Sequence, residues 1–188
     1  MNICIFGASS DNIPQSYMDA AYDFGVTLAM RGHTLYFGGG AHGVMGAVAR
    51  GVKSCADRSE ARAVGIAPSF FDTGDILFRG CDDFIYTETM RERKAALEDN
   101  ADAFVILPGG IGTYEEFFEV LVLAQLGQHN KPIAVYDVDG CYDRLNALLR
   151  GTVEEGFMEL KCLSLCEFCR EAADVFDYIE NRLNKLNV

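Results

Sequence analysis

PGGIGTYEE, residues 108–116, is the stretch on which the reading of this chain turns. An apolar run, Ala103-Phe104-Val105-Ile106-Leu107, leads into it and reads as a buried strand. A long helical pattern leaves it. Pro108, Gly109, Gly110 and Gly112 form the turn between them, so backbone N–H groups can approach a ligand with no Cβ in the way. Those N–H groups open a helix, where unpaired donors and the macrodipole favour an anion. Thr113 adds a hydroxyl, and Glu115 and Glu116 follow at once. The plain alternative is a strand-turn-helix unit whose glycines serve the turn and whose glutamates complement the dipole. A phosphate cradle with carboxylates beside it is the chemical reading.

Working outward, the same alternation recurs. NICIFG, 2–7, ends in Gly7 and is followed by Ala8, Ser9 and Ser10 and a helical pattern over about 16–31. Gly7 and Ser9 either cap that helix or touch a ligand. TLYF, 34–37, reads as a second strand, and GGGAHGVMG, 38–46, opens a helix to about Ala56. Strands follow at 61–67 and 83–87, separated by an irregular segment, 70–82, that carries Asp72, Asp75 and Asp82. A helix is expected over 89–102 and another over 114–127, then a strand at 133–138 and a short helix near 141–150. KCLSLC, 161–166, reads as the last strand and 168–184 as the last helix. This order predicts an α/β fold, a Rossmann-like three-layer arrangement with a parallel sheet flanked by helices.

Composition narrows the function. At 188 residues the chain is read as one domain, 1–188, with 49% hydrophobic residues to fill its core. A net charge of −12 disfavours a nucleic-acid polymer, which needs a basic footprint, but leaves room for one nucleotide in a locally basic pocket. No apolar run is long enough to span a bilayer. MNICIFGASS lacks a basic region before its apolar run and reads as a first strand, not a signal peptide. With seven cysteines, an odd number, the thiols are expected to be free and the protein cytoplasmic.

Three further patterns need weighing. Gly38, Gly40 and Gly43 fit G-x-G-x-x-G, yet the next strand ends in Ala67-Pro68-Ser69 and lacks the acidic residue of a dinucleotide site. Gly39 and Gly40 still lie in a loop that suits a ligand crevice, whereas His42 reads as a solvated loop histidine. Cys162, Cys166 and Cys169 match C-x3-C-x2-C, an iron–sulfur spacing, but fewer than twenty residues follow and the apolar fill reads as core. No metal and no organic cofactor is expected. Arg91, Arg93 and Lys94 concentrate positive charge just before the strand that feeds the glycine turn. They either solvate a helix, pairing with Glu98, or supply an arginine to an anionic substrate. Finally, YEEFFEVLVLAQLG, 114–127, has almost no polar face, which predicts cover from a second subunit and hence a homodimer.

MRERK at 90–94, PGGIGTYEE at 108–116 and AQLGQHNKPI at 124–133 together resemble the LOG (Lonely Guy) family, whose members were widely labelled lysine decarboxylases. GASS at 7–10 and GGGAHGVMG at 38–46 extend the likeness over nearly the whole chain. The resemblance implies a usually dimeric Rossmann-like protein. Its implied activity hydrolyses the N-glycosidic bond of a nucleoside 5′-monophosphate, a cytokinin nucleotide or AMP, to free base and ribose 5-phosphate. It implies Arg93 and Glu116 as catalytic residues, with Lys94, Gly110, Ile111, Gly112, Thr113, Tyr114 and Glu115 binding substrate. Arg91, Val122 and Asp75 depart from the residues common in the family, which bears on the base preferred. Asp75 falls where many members of the family have a glutamate near the base.

The residues and the resemblance meet on one mechanism. The loop 109–113 holds the 5′-phosphate. Loss of the base builds positive charge on the ribose, and Glu116 stabilises that charge and orients water. Arg93 holds Glu116 ionised, binds phosphate or positions the sugar. The rival readings are a non-catalytic carrier of a nucleotide or molybdenum cofactor, and a decarboxylase, which needs a pyridoxal-bound lysine.

Overall fold

A computed structural model describes residues 1–186. Its sheet has seven parallel strands: β1 (Asn2–Phe6), β2 (Thr34–Phe37), β3 (Ala63–Pro68), β4 (Asp83–Thr87), β5 (Ala103–Ile106), β6 (Ile133–Tyr136) and β7 (Cys166–Cys169). Their spatial order is β4-β3-β2-β1-β5-β6-β7. The chain therefore starts at the centre, runs out to one edge, and returns beside β1 to build the other half. Registers such as Ile3↔Leu35 and Ile5↔Val105 place β1 between β2 and β5. The β1/β5 boundary is where the winding reverses, and a parallel sheet opens a crevice there at the strands' carboxyl ends.

Six helices cover the sheet: α1 (Gln15–Met30), α2 (Gly43–Lys53), α3 (Met90–Asn100), α4 (Ile111–Gln125), α5 (Asp143–Glu154) and α6 (Ala172–Leu186). Residues of α1, α2 and α6 share one buried cluster with one face of the sheet. Those of α3, α4 and α5 share the other. β5 and β6 are buried along their whole length because both faces are covered, which is why they read as unbroken apolar runs. α1 and α2 touch almost backbone to backbone: a Cβ at Gly25 would lie 2.2 Å from the Val48 carbonyl oxygen.

The expected elements are present with shifted ends, and one assignment is corrected. KCLSLC is not the last strand. Leu160–Leu165 form a 3-10 turn, and the strand is Cys166–Cys169, which also displaces the start of the last helix to Ala172. The alternating leucines fit either form; the sheet is joined one step later, where Cys166 pairs with Ile133. The segment 70–82 is irregular apart from a short 3-10 turn at Ser69–Phe71 and a single bridge from Leu77 to Gly40. All seven cysteines are free thiols, five of them buried. Among the described residues no cluster of three or more His, Cys, Asp or Glu side chains is arranged to hold a metal.

Candidate active site

The loop between β5 and α4 lies at the winding reversal. Ala8 N–H donates to the Pro108 carbonyl at 3.0 Å, which ties it to the turn after β1. Gly7 is buried there, and a Cβ on it would meet Val44 and Leu107. Gly110 caps α4 without any side chain on the helix's first N–H groups. Nothing lies within 4 Å of a Cβ built on Gly110 or Gly112, and Ile111 is 89% exposed. The first turn of α4 thus presents bare donors to open space, the condition for binding an anion. Thr113 is buried and folds back over Gly109, so that a Cβ at 109 would lie 2.1 Å from its hydroxyl.

One turn into α4, Glu116 faces Arg93 of α3. Arg93 Nη1 donates to Glu116 Oε1 at 3.0 Å, and the two side chains are only 10% and 11% exposed. Arg93 Nε also donates to the Ile66 carbonyl of β3 at 3.3 Å. The guanidinium lies against Gly38 at the end of β2, where a Cβ would come within 2.2 Å of Nη2. Four elements therefore converge on one ion pair. Burial pushes the Glu116 carboxyl above the usual carboxylate range, and Arg93 pulls the other way by charge and hydrogen bond. A carboxylate so placed can stabilise a cation that develops beside it more strongly than one in water.

The basic cluster separates cleanly. Arg93 alone enters the site, whereas Arg91 is exposed. Lys94 does not pair with Glu98: its Nζ lies 2.6 Å from Glu115 Oε1 and 3.0 Å from Glu119 Oε2, bracing α3 on α4. These two carboxylates raise the Lys94 pKa. Tyr114 is half-buried with its ring edge-on to Tyr142. Ser9 is exposed in the turn after β1.

The second glycine loop is built differently. Gly39 has φ +74° and packs on Phe84, Gly40 bridges Leu77, and Ala41 N–H donates to the Ile76 carbonyl. The exposed Asp75 is carried beside this loop by those bonds. At the start of α2 the Gly43 N–H donates to Asp11 Oδ1 at 2.7 Å, and Asp11 Oδ2 lies 2.7 Å from His42 Nδ1. The N-terminus of α2 is thus filled by the chain's own carboxylate, and both contacts hold Asp11 below the usual range.

Sequence reasoning missed two contributors. As sequence, Gly38 belongs only to a formal G-x-G-x-x-G match; in the fold it makes room for Arg93. Asp11 gave no signal, because its partners lie thirty-one and thirty-two residues away.

The fold is shared with molybdenum cofactor carrier proteins. That of Chlamydomonas reinhardtii superposes with a TM-score of 0.71 at 19% identity, covering 97% of this chain and 98% of that one. A protein from Rippkaea orientalis described as binding molybdenum cofactor gives 0.69 at 20% identity over 97% and 95%. Sequence goes further. A family model described as "Possible lysine decarboxylase" matches residues 45–179. A cytokinin riboside 5′-monophosphate phosphoribohydrolase of Arabidopsis thaliana is 38% identical over 156 residues, 83% of this chain and 71% of the relative. One from Mycobacterium tuberculosis is 38% identical over 141 residues, 75% of this chain and 73% of the relative. The chain belongs to the LOG family.

Proposed function

We propose that the protein hydrolyses the N-glycosidic bond of a nucleoside 5′-monophosphate, a cytokinin riboside monophosphate or AMP, to free base and ribose 5-phosphate. The observation that carries this is the buried Arg93–Glu116 pair one turn from an open, uncapped glycine loop. The loop takes the 5′-phosphate. As the bond to the base lengthens, its electron pair leaves with the base and positive charge builds on the ribose. Glu116 faces that charge and directs water to the anomeric carbon; Arg93 fixes the carboxylate and keeps it ionised against burial. Water supplies the hydroxyl of the sugar product and the proton of the free base. Relatives of 38% identity named for this reaction support the reading. Gly39, Gly40 and Asp75 border the sugar and base, with Gly7 and Ser9 beside the phosphate.

The lysines weigh against decarboxylation. A Schiff-base lysine needs a depressed pKa, but Glu115 and Glu119 raise that of Lys94. Lys53 is paired with Asp82, and Lys131 donates to the Glu98 carbonyl. The carrier reading rests on fold alone.

We also read residues 1–188 as one such domain, working in the cytoplasm as a homodimer. No helix among the described residues is long and apolar enough to cross a membrane. α4 and its C-cap leave Val122 47% and Leu126 66% exposed beside half-buried Phe118 and Leu123, a face a second copy would cover. Light scattering at micromolar concentration is expected to give twice the chain mass; monomer alone would reject the dimer. Incubating pure protein with AMP and with isopentenyladenosine monophosphate, then separating products by chromatography, tests the reaction. Equal amounts of base and ribose 5-phosphate are expected, and the rate ratio names the preferred base. Absence of base from either would count against the hydrolase.

A further inference from the structure

We propose that Tyr142 is a positioning residue that shapes the phosphate loop from beneath, an inference that rests on the phosphate reading of residues 110–113. Tyr142 is 1% exposed and lies under the β5–α4 turn at the start of α5. Its hydroxyl donates to the Leu107 carbonyl at 2.7 Å. The ring stands edge-on to Tyr114, centroids 5.9 Å apart, at the far end of the loop. One side chain thus holds the residue before the turn and the first turn of the helix after it.

Tyr142 is itself held. Its N–H donates to Asp137 Oδ1 at 2.6 Å, and Asp137 is 2% exposed with its N–H donating to the Cys169 carbonyl. A buried side chain fixed at both ends transmits little play to what it supports. The Tyr142 bond to the Leu107 carbonyl fixes the chain immediately ahead of the loop that presents the N–H groups of Gly110, Ile111, Gly112 and Thr113.

Two measurements test this. In wild type, residue-resolved amide exchange should show Gly110, Ile111 and Gly112 gaining protection with ribose 5-phosphate, and in Tyr142→Phe that gain should shrink. An equal gain in both proteins would overturn the proposal. In Tyr142→Phe, affinity for ribose 5-phosphate and for inorganic phosphate should weaken together by about tenfold. KM for AMP should rise by the same factor, with kcat and inhibition by free adenine unchanged, as loss of uniform binding requires. Unchanged phosphate affinity, or adenine inhibition weakened equally, would reduce Tyr142 to a packing residue. If wild type binds neither ribose 5-phosphate nor phosphate, the phosphate reading of the loop fails first, and the proposal falls with it.

Discussion

The two glycine-rich loops of this protein look alike as sequence and differ as structures. GGGAHGVMG and PGGIGTYEE both follow a strand, both open a helix and both lie at the carboxyl edge of a parallel sheet. At α2 the helix terminus is occupied: Asp11 accepts the Gly43 N–H, His42 braces the carboxylate, and Gly43 at φ +59° packs against Ala8 and Ser10. At α4 the terminus is bare, with open space over Gly110 and Gly112. The first loop satisfies its own donors and builds the wall of the site. The second leaves them for a ligand. What separates a structural glycine turn from a binding one is where the helix's unpaired N–H groups go.

The comparison can be broken in several ways. The largest effect is expected where the first loop meets the catalytic pair. Arg93→Ala should cost about 10²-fold or more in kcat/KM for AMP. Gly38→Ala, which touches no substrate, should approach that loss because its methyl group displaces the guanidinium by more than an ångström. Steady-state kinetics of the two variants checks both, and a fully active Gly38→Ala would show that Arg93 need not be so placed. Next, Gly112→Ala should raise KM for AMP about tenfold, the loss of ~1.4 kcal/mol of phosphate contact. Asp11→Asn should leave KM alone and lower the melting temperature, since it disturbs only the self-filled terminus. Equal KM effects from these two would erase the distinction between the loops.

The smallest effect concerns the helix that carries Arg93. Glu98 of α3 is pushed up to about 6, mainly by burial and then by Glu119 and Asp99. The folded state holds this proton more tightly than the unfolded one. Its contribution is therefore complete below the ordinary carboxylate value and is lost as pH rises through about 6. Glu98→Gln should match wild type in melting temperature below about pH 4 and exceed it by about 2 °C at neutral pH. A constant difference across the range would remove Glu98 as the cause.

Much of the fold is legible because parallel strands buried on both faces write themselves as short apolar runs, as Ala103–Leu107 does. The last strand is not, because KCLSLC carries leucines at a spacing that a 3-10 turn accepts equally well, while the true edge strand, Cys166–Cys169, is only four residues long and sets an exposed glutamate and a half-buried Phe168 between two buried cysteines. Within the site, Arg93 and Glu116 stand in motifs that read directly. Spacing set Arg93 apart from Arg91 and Lys94, but only packing shows that it is the one turned inward. Gly38 and Tyr142 work through contacts 55 and 35 residues distant along the chain. No local pattern records such contacts.

The measurement closest to the central claim pairs turnover with product affinity in Glu116→Gln. If Glu116 meets the charge that develops on the ribose, the variant should release base from AMP at about 10²-fold or more below the wild-type kcat. Its affinity for ribose 5-phosphate, held by the separate loop, should stay unchanged. Base release at the wild-type rate, or a loss that appears wholly as weakened ribose 5-phosphate binding, would contradict the account.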